Sequence, residues 1–224
     1  MVSSYQRVSD TLEGTVRVIV FGATGSVGSL TVERLLEDGH DVTAFARQPS
    51  VLEISHPRLN LVAADVMDPE AVGKALVAQD AAIVTLGSGK SLSSQVRSQG
   101  TENIVKAMQY RGVKRLICQS TLGAGDSWSN LNFFWKRIMF GLLLRPVFLD
   151  HQRQERWVRE SGLDWTIVRP SAFTNKPADG QYRVDIPAAE RGLTLKISRA
   201  DIADFLVDCL RDTQFVHRAV GISH

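Results

Sequence analysis

The clearest chemical signal in this chain is the run Gly22-Ala23-Thr24-Gly25-Ser26-Val27-Gly28. It follows an apolar stretch, Val16 to Phe21, and opens a stretch of helical character, Ser26 to Asp38. Between a strand and a helix, each glycine has a use. One permits a tight turn off the strand, one lets backbone amides approach a pyrophosphate, and one lets the helix pack against the sheet. The helix start then offers unpaired N–H groups and a partial positive charge to phosphate oxygens. The expected phosphate-binding residues are Gly22, Thr24, Gly25, Ser26, Val27 and Gly28, with the Ser26 hydroxyl as an added donor. The spacing is G-x-x-G-x-x-G, and no Gly-Lys-Ser/Thr ending follows, which argues against a nucleoside triphosphate loop.

The next strand decides which dinucleotide the loop would take. A carboxylate at its end would hold the ribose hydroxyls of NAD. Here the strand ends Thr43-Ala44-Phe45-Ala46-Arg47, and the nearest acid, Asp41, stands at its beginning. A guanidinium grips a phosphate through paired hydrogen bonds. Arg47 therefore predicts NADPH/NADP as cofactor, through a contact worth roughly 1.5–3 kcal/mol. Asp65 and Val66, after the third strand, fall where adenine is met in such folds. Gly87 and Ser88, after the fourth, fall near ribose and pyrophosphate.

These residues need a frame, and the alternation of short β-branched runs with longer helical runs supplies one. Strands are predicted at 16–21, 42–46, 59–63, 81–85, 115–119 and 165–168. Helices are predicted at 26–38, from Pro69, at 94–110, 150–161 and 199–211. Gly39 is placed to end the first helix, and 219–222 reads as a last edge strand. After Pro170 the chain reads as loop-rich as far as Ile197. Residues 122–149 carry Trp128, Phe133, Phe134 and Trp135 among basic residues. They read as a lid or packing segment, with a planar-ligand wall or a subunit contact as its use. The fold class is α/β, a Rossmann-type doubly wound parallel sheet in a single domain over 16–224, with a small C-terminal region on the substrate side. Residues 1–15 read as a flexible N-terminal extension.

Composition excludes several classes. A formal charge of +2 with scattered basic residues gives no basis for a nucleic-acid partner. Two cysteines, Cys118 and Cys209, lie in apolar runs without metal-binding spacing, so neither a disulfide framework nor a metal site is expected. No run is apolar and long enough for a membrane span. A cytoplasmic location is the expectation.

Taken together, GATGSVG, Arg47, AADVMD at 63–68, SGLDWTIVRPS at 161–171 and ISRADIADFLVDCL at 197–210 resemble the atypical short-chain dehydrogenase/reductases. Within these the chain is most similar to the NmrA-like and biliverdin-IXβ reductase (flavin reductase)-like proteins. The resemblance implies NADP binding, with substrate over the C-terminal ends of the strands. It implies that Ser120 matches the family serine, and that the backbone of Pro170, Ser171, Ala172 and Phe173 lies near the nicotinamide. The usual Tyr-x-x-x-Lys pair is missing from its helix, which reads Asp150-His-Gln-Arg-Gln-Glu155. The string Tyr110-Arg-Gly-Val-Lys114 precedes the fifth strand and crosses a helix end, so it is rejected. His151, with an ordinary pKa near neutrality, is the candidate proton donor. It shares a helix face with Glu155, and a solvated, mutually paired face is the competing reading. The expected activity is reduction of a planar conjugated acceptor: a flavin, a quinone or a tetrapyrrole. Two alternatives stand beside it. One is a non-catalytic NADP(H)-sensing regulator that binds a protein partner; the other is an NADP-dependent isomerase or epimerase. A homodimer or a protein partner is the expected association beyond the small-molecule acceptor.

Overall fold

Five parallel strands build the centre of the sheet: β1 (Arg17–Phe21), β2 (Asp41–Ala46), β3 (Leu59–Ala63), β4 (Ala81–Val84) and β5 (Arg115–Gln119). The structure, a computed structural model, describes residues 14–89, 94–124, 145–186 and 194–224. Most of the N-terminal extension therefore lies outside the described residues, as do Trp128, Phe133, Phe134 and Trp135 of the expected lid. The strand β6 (Asp164–Pro170) continues the sheet, followed by β10 (Arg218–Ser223) and the short β8 (Arg183–Val184). The order is β3-β2-β1-β4-β5-β6-β10-β8, parallel except for the β10–β8 pair.

Both faces of this sheet are covered, so its central strands are apolar without alternation. In β1, Val18, Ile19, Val20 and Phe21 are all fully buried. On one face lie α1 (Gly28–Glu37) and α5 (Arg199–Arg211), packed over Val18 and Val20. On the other lie α2 (Pro69–Ala75), α3 (Val96–Arg111) and α4 (Arg145–Arg159), over Ile19 and Phe21. The helix ends follow local chemistry. Gly39 and Gly112 take left-handed backbone after α1 and α3, with φ of +79° and +74°. Asp68 caps α2 by accepting from the N–H groups of Glu70 and Ala71, and Ser198 caps α5 through the N–H of Asp201.

Strand order reverses between β1 and β4, which opens a crevice at their carboxyl ends. Register sets that edge level: Phe21 pairs with Phe45 on one side and Val84 on the other. The glycine loop, Arg47 and the chain after Val84 all leave the sheet there.

Two expectations change. The last strand is not an edge, because β8 pairs outside β10. The stretch after Pro170 is not only loop, because β7 (Ala172–Thr174) pairs with β9 (Lys196–Ser198) in a small second sheet. Strands of two or three residues carry no legible period, and it is their pairing with distant chain that makes them strands. Among the described residues no helix is long and apolar enough to cross a membrane.

The α1–α5 contact carries a concentration of charge. Arg34 meets Asp38 at 3.0 Å and Asp204 at 3.5 Å, and Arg211 meets Asp38 at 3.5 Å. Asp208 is buried beside them. Burial, then Asp204 and Asp38, push its carboxyl up to about 7 against the pull of Arg34 and Arg211. A carboxyl raised in the folded state favours folding in its protonated form, and that advantage is lost as pH rises from the unfolded value near 4. Asp208→Asn is therefore expected to stabilise the protein by about 1–3 kcal/mol at pH 8 and by almost nothing near pH 4. Thermal unfolding at the two pH values reads this out, and an equal gain at both would refute it.

Candidate cofactor and acceptor site

The glycine loop is locked by the strands around it. The N–H of Gly22 donates to the Phe45 carbonyl at 3.1 Å, and that of Gly25 to the Gly22 carbonyl at 2.9 Å. Thr85, at the end of β4, donates its hydroxyl to the carbonyls of Phe21 and Gly22 at 3.2 and 3.3 Å. Each glycine meets a different limit. A Cβ at Gly28 would lie 2.2 Å from the Gly22 oxygen and 2.8 Å from the Thr85 hydroxyl. Gly22 has φ of +86°, and a Cβ there would press on the Thr85 carbonyl at 2.8 Å. Gly25 is looser, with 3.1 Å to the Gly22 oxygen. The N–H groups of Thr24, Ser26 and Val27 make no backbone hydrogen bond in the loop. All three residues line a cleft of about 920 Å³ that runs along the carboxyl edge of the sheet. Unpaired donors at a helix start, facing a cleft without side chains in the way, fit a pyrophosphate.

The structure brings most of the sequence candidates into this one cleft. Gly22, Thr24, Gly25, Ser26, Val27, Arg47, Asp65, Val66, Gly87, Ser88, Ser120, His151 and Phe173 all line it. Gly28, Pro170, Ser171 and Ala172 do not. Gly28 serves packing, and the other three are taken up by the sheets, with Ser171 and Ala172 donating to Ile222 and Leu195. Arg47 is exposed at the end of β2 and has no acidic partner among the described residues. Asp65 turns its carboxylate onto the N–H of Met67, while the cap of α2 is Asp68. Val66 packs against Gly100 of α3, and its carbonyl accepts from Asn103 at 3.0 Å.

At the other end of the cleft, Ser120 donates its hydroxyl to Glu155 Oε1 at 2.7 Å. Glu155 is 3 % exposed and is also gripped by Arg169, from Nε at 2.9 Å and Nη2 at 2.6 Å. Because the Ser120 proton is committed to a carboxylate, its oxygen is left to accept from whatever enters the cleft.

A family model for NAD(P)H-binding proteins matches residues 22–213. The chain belongs to this NAD(P)H-binding family. Its cofactor is thus a nicotinamide dinucleotide. The 3-beta-hydroxysteroid dehydrogenase of Mycolicibacterium neoaurum is 38% identical over 113 residues, 45% of this chain. The chain spans only 31% of that relative's length. A short-chain dehydrogenase/reductase from Veillonella parvula, solved in complex with NADP, superposes with a TM-score of 0.79 at 21% identity, over 94% of this chain and 95% of its own. ChuY of Escherichia coli O157:H7, an anaerobillin reductase, superposes with a TM-score of 0.74 at 23% identity, over 92% and 96%. At such identities these structures establish the fold.

No tyrosine among the described residues lines the cleft. It has three tyrosines, and Tyr5 lies outside the described residues. Tyr110 is 84% exposed, and the neighbouring Lys114 leads into the amino end of β5, away from the cleft. Tyr182 is buried edge-on against Phe205. Neither lines the cleft. The His151–Glu155 reading is also corrected. These side chains are neither solvated nor paired with each other: Glu155 faces Ser120 and Arg169, and His151 contacts Gln154 at 3.2 Å. Burial first, and Arg97 next, lower the His151 pKa to about 3, so at pH 7 the ring is neutral. A neutral imidazole is a far weaker acid than the imidazolium that a proton donor would need.

Several site residues escaped the sequence reading. Arg169 stands in an otherwise apolar strand, a pattern that signals a buried partner. Arg199, at the start of α5, donates to Ser26 Oγ at 3.1 Å and covers the Phe173 ring at 5.4 Å. No local signal links residues 26 and 199; only the fold does.

Proposed function

We propose that this protein is an NADPH-dependent reductase of a flat, conjugated acceptor such as a flavin, a quinone or a linear tetrapyrrole. The observation that carries the reading is the Ser120–Glu155–Arg169 cluster in the place where a tyrosine acid would act, with no tyrosine of the described residues on the cleft. A ketone reductase needs a group to protonate the nascent alkoxide. An acceptor that takes hydride readily and draws its proton from water does not, and the protein's work is then positioning.

In this reading the loop amides of Thr24, Ser26 and Val27 hold the pyrophosphate, with Arg199 steadying Ser26. Arg47 holds the 2′-phosphate, and Val66 and Asp65 flank the adenine. Ser120, oriented by Glu155, accepts from a donor N–H on the nicotinamide amide or the acceptor. Phe173 offers an exposed ring at the mouth of the cleft. A bound nicotinamide supplies the hydride.

The test is to mix the purified protein and NADPH with FMN, a quinone, dichlorophenolindophenol and a linear tetrapyrrole, and to follow the loss of reduced-nicotinamide absorbance. Turnover with at least one acceptor is expected. Tight NADPH binding with no oxidation across the panel would instead favour a cofactor sensor. With a working acceptor, Arg47→Ala is expected to raise the KM for NADPH about 10- to 100-fold with little change for NADH. An unchanged preference would remove Arg47 from the cofactor site.

A further inference from the structure

The cleft has a loosely paired cation at the end where Ser120 and His151 lie. Arg97, in the first turn of α3, lines the cleft on the side where α3 packs against α4. Its side chain is 13% exposed. Its carboxylate partner among the described residues is Asp150, with Nη1 and Oδ2 separated by 3.8 Å, beyond good hydrogen-bond reach. Both of those atoms are buried and lack a hydrogen-bond partner. Asp150 is committed elsewhere, since its other oxygen accepts from the Ser98 N–H at 3.1 Å and the Ser98 hydroxyl at 2.5 Å. It holds α3 to α4 and only loosely balances Arg97.

The charges along the cleft are unequal. Among the described residues, the ionisable side chains lining it besides His151 are Arg47, Asp65 and Arg97. Arg47 and Asp65 both follow strands at the adenine end, and Asp65 is spent on its own turn. Among the described lining residues, the end marked by Ser120 and the neutral ring of His151 therefore has one charged side chain, the cationic Arg97. A guanidinium with spare donors in a half-buried cleft is strongly favoured to meet an anion.

We propose that Arg97 anchors an anionic group, a carboxylate or a phosphate, on the acceptor, so that the preferred substrates are negatively charged planar molecules. This rests on the reductase reading for the identity of the acceptor, though not for the anion site itself.

The experiment measures binding as well as turnover. The protein loaded with NADP is titrated with matched pairs: FMN against riboflavin, and a linear tetrapyrrole dicarboxylate against its dimethyl ester. Wild type is expected to bind the charged member of at least one pair about 10- to 100-fold more tightly. The first pair succeeding alone identifies phosphate, and the second alone identifies carboxylate. Arg97→Gln is expected to abolish that preference while leaving NADPH affinity unchanged, and Arg97→Lys to retain part of it. Equal affinities within both pairs, an equal loss for charged and neutral members, or a fall in NADPH affinity would overturn the proposal. Charged-ligand binding without NADPH oxidation keeps the anchor and removes the reductase reading. Oxidation by neutral and charged acceptors alike does the reverse. Should no acceptor bind, both fail.

Discussion

Replacing Glu155 with glutamine is expected to cost about 3 kcal/mol and to lower Tm by about 6–12 °C. Arg169 is 2% exposed and sends two hydrogen bonds to this carboxylate. Removing one charge of a buried pair leaves the other desolvated and less well balanced, which costs more than the pair contributes as a whole. Function should follow a different course from stability. The Ser120 hydroxyl donates to the same carboxylate oxygen that accepts from Arg169 Nε. A glutamine can turn its amide N–H₂ toward Arg169 or Ser120 only at the expense of one of those bonds. With a working acceptor, kcat should fall while the KM for NADPH holds. The double variant Glu155→Met with Arg169→Met separates the two effects. Apolar side chains of similar volume can replace a buried pair at little cost, so most of the lost Tm should return. The lost kcat should not, since Ser120 then has no acceptor. A Tm for Glu155→Gln equal to wild type would refute the buried-pair argument, and full recovery of kcat in the double variant would refute the positioning role.

Gly28→Ala is expected to be the other costly change, at about 3 kcal/mol or more. The added methyl would sit 2.2 Å from the Gly22 carbonyl, which is itself fixed by the Gly25 N–H. Neither backbone atom can move without opening the contact between α1 and the strands. Gly25→Ala is the control. Its methyl meets the same oxygen at 3.1 Å, a contact that a shift of a few tenths of an ångström relieves, but it faces the cleft. Gly28→Ala should lose Tm and cofactor affinity together. Gly25→Ala should nearly keep its Tm and still bind NADPH at least about 10-fold more weakly, because a Cβ keeps phosphate oxygens from the amides. Differential scanning fluorimetry with and without NADPH distinguishes them. Equal Tm losses for both variants would show that the two glycines do not divide packing from binding in this way.

The legible part of this protein was the part encoded locally. The run from Val18 to Phe21 reads as a buried parallel strand because two helix layers leave it no polar face. The spans of β3, β5 and α5 match the strands expected at 59–63 and 115–119 and the helix expected at 199–211, since apolar runs and helical periodicity act over short distances. The glycine loop was readable because its chemistry is a backbone requirement that few residues other than glycine meet. The exposed position of Arg47 just past β2 was readable too, because a strand end is a local feature. The α/β fold class and the nicotinamide dinucleotide followed from these alone.

Other features depend on residues far apart in the chain, and only the tertiary structure decided them. Short strands such as β7 and β9 exist because residues 172–174 and 196–198 meet. Arg199 reaches Ser26 because α5 packs beside α1. His151 and Glu155 share a helix face in sequence terms, but burial separates their fates. One is held neutral near Arg97, and the other is a carboxylate joined to Ser120 and Arg169. Sequence spacing shows which side chains point the same way along one helix. The water they lose and the charges they meet are set by the elements packed against them, and at this site those elements are the far ends of β5, β6 and α3.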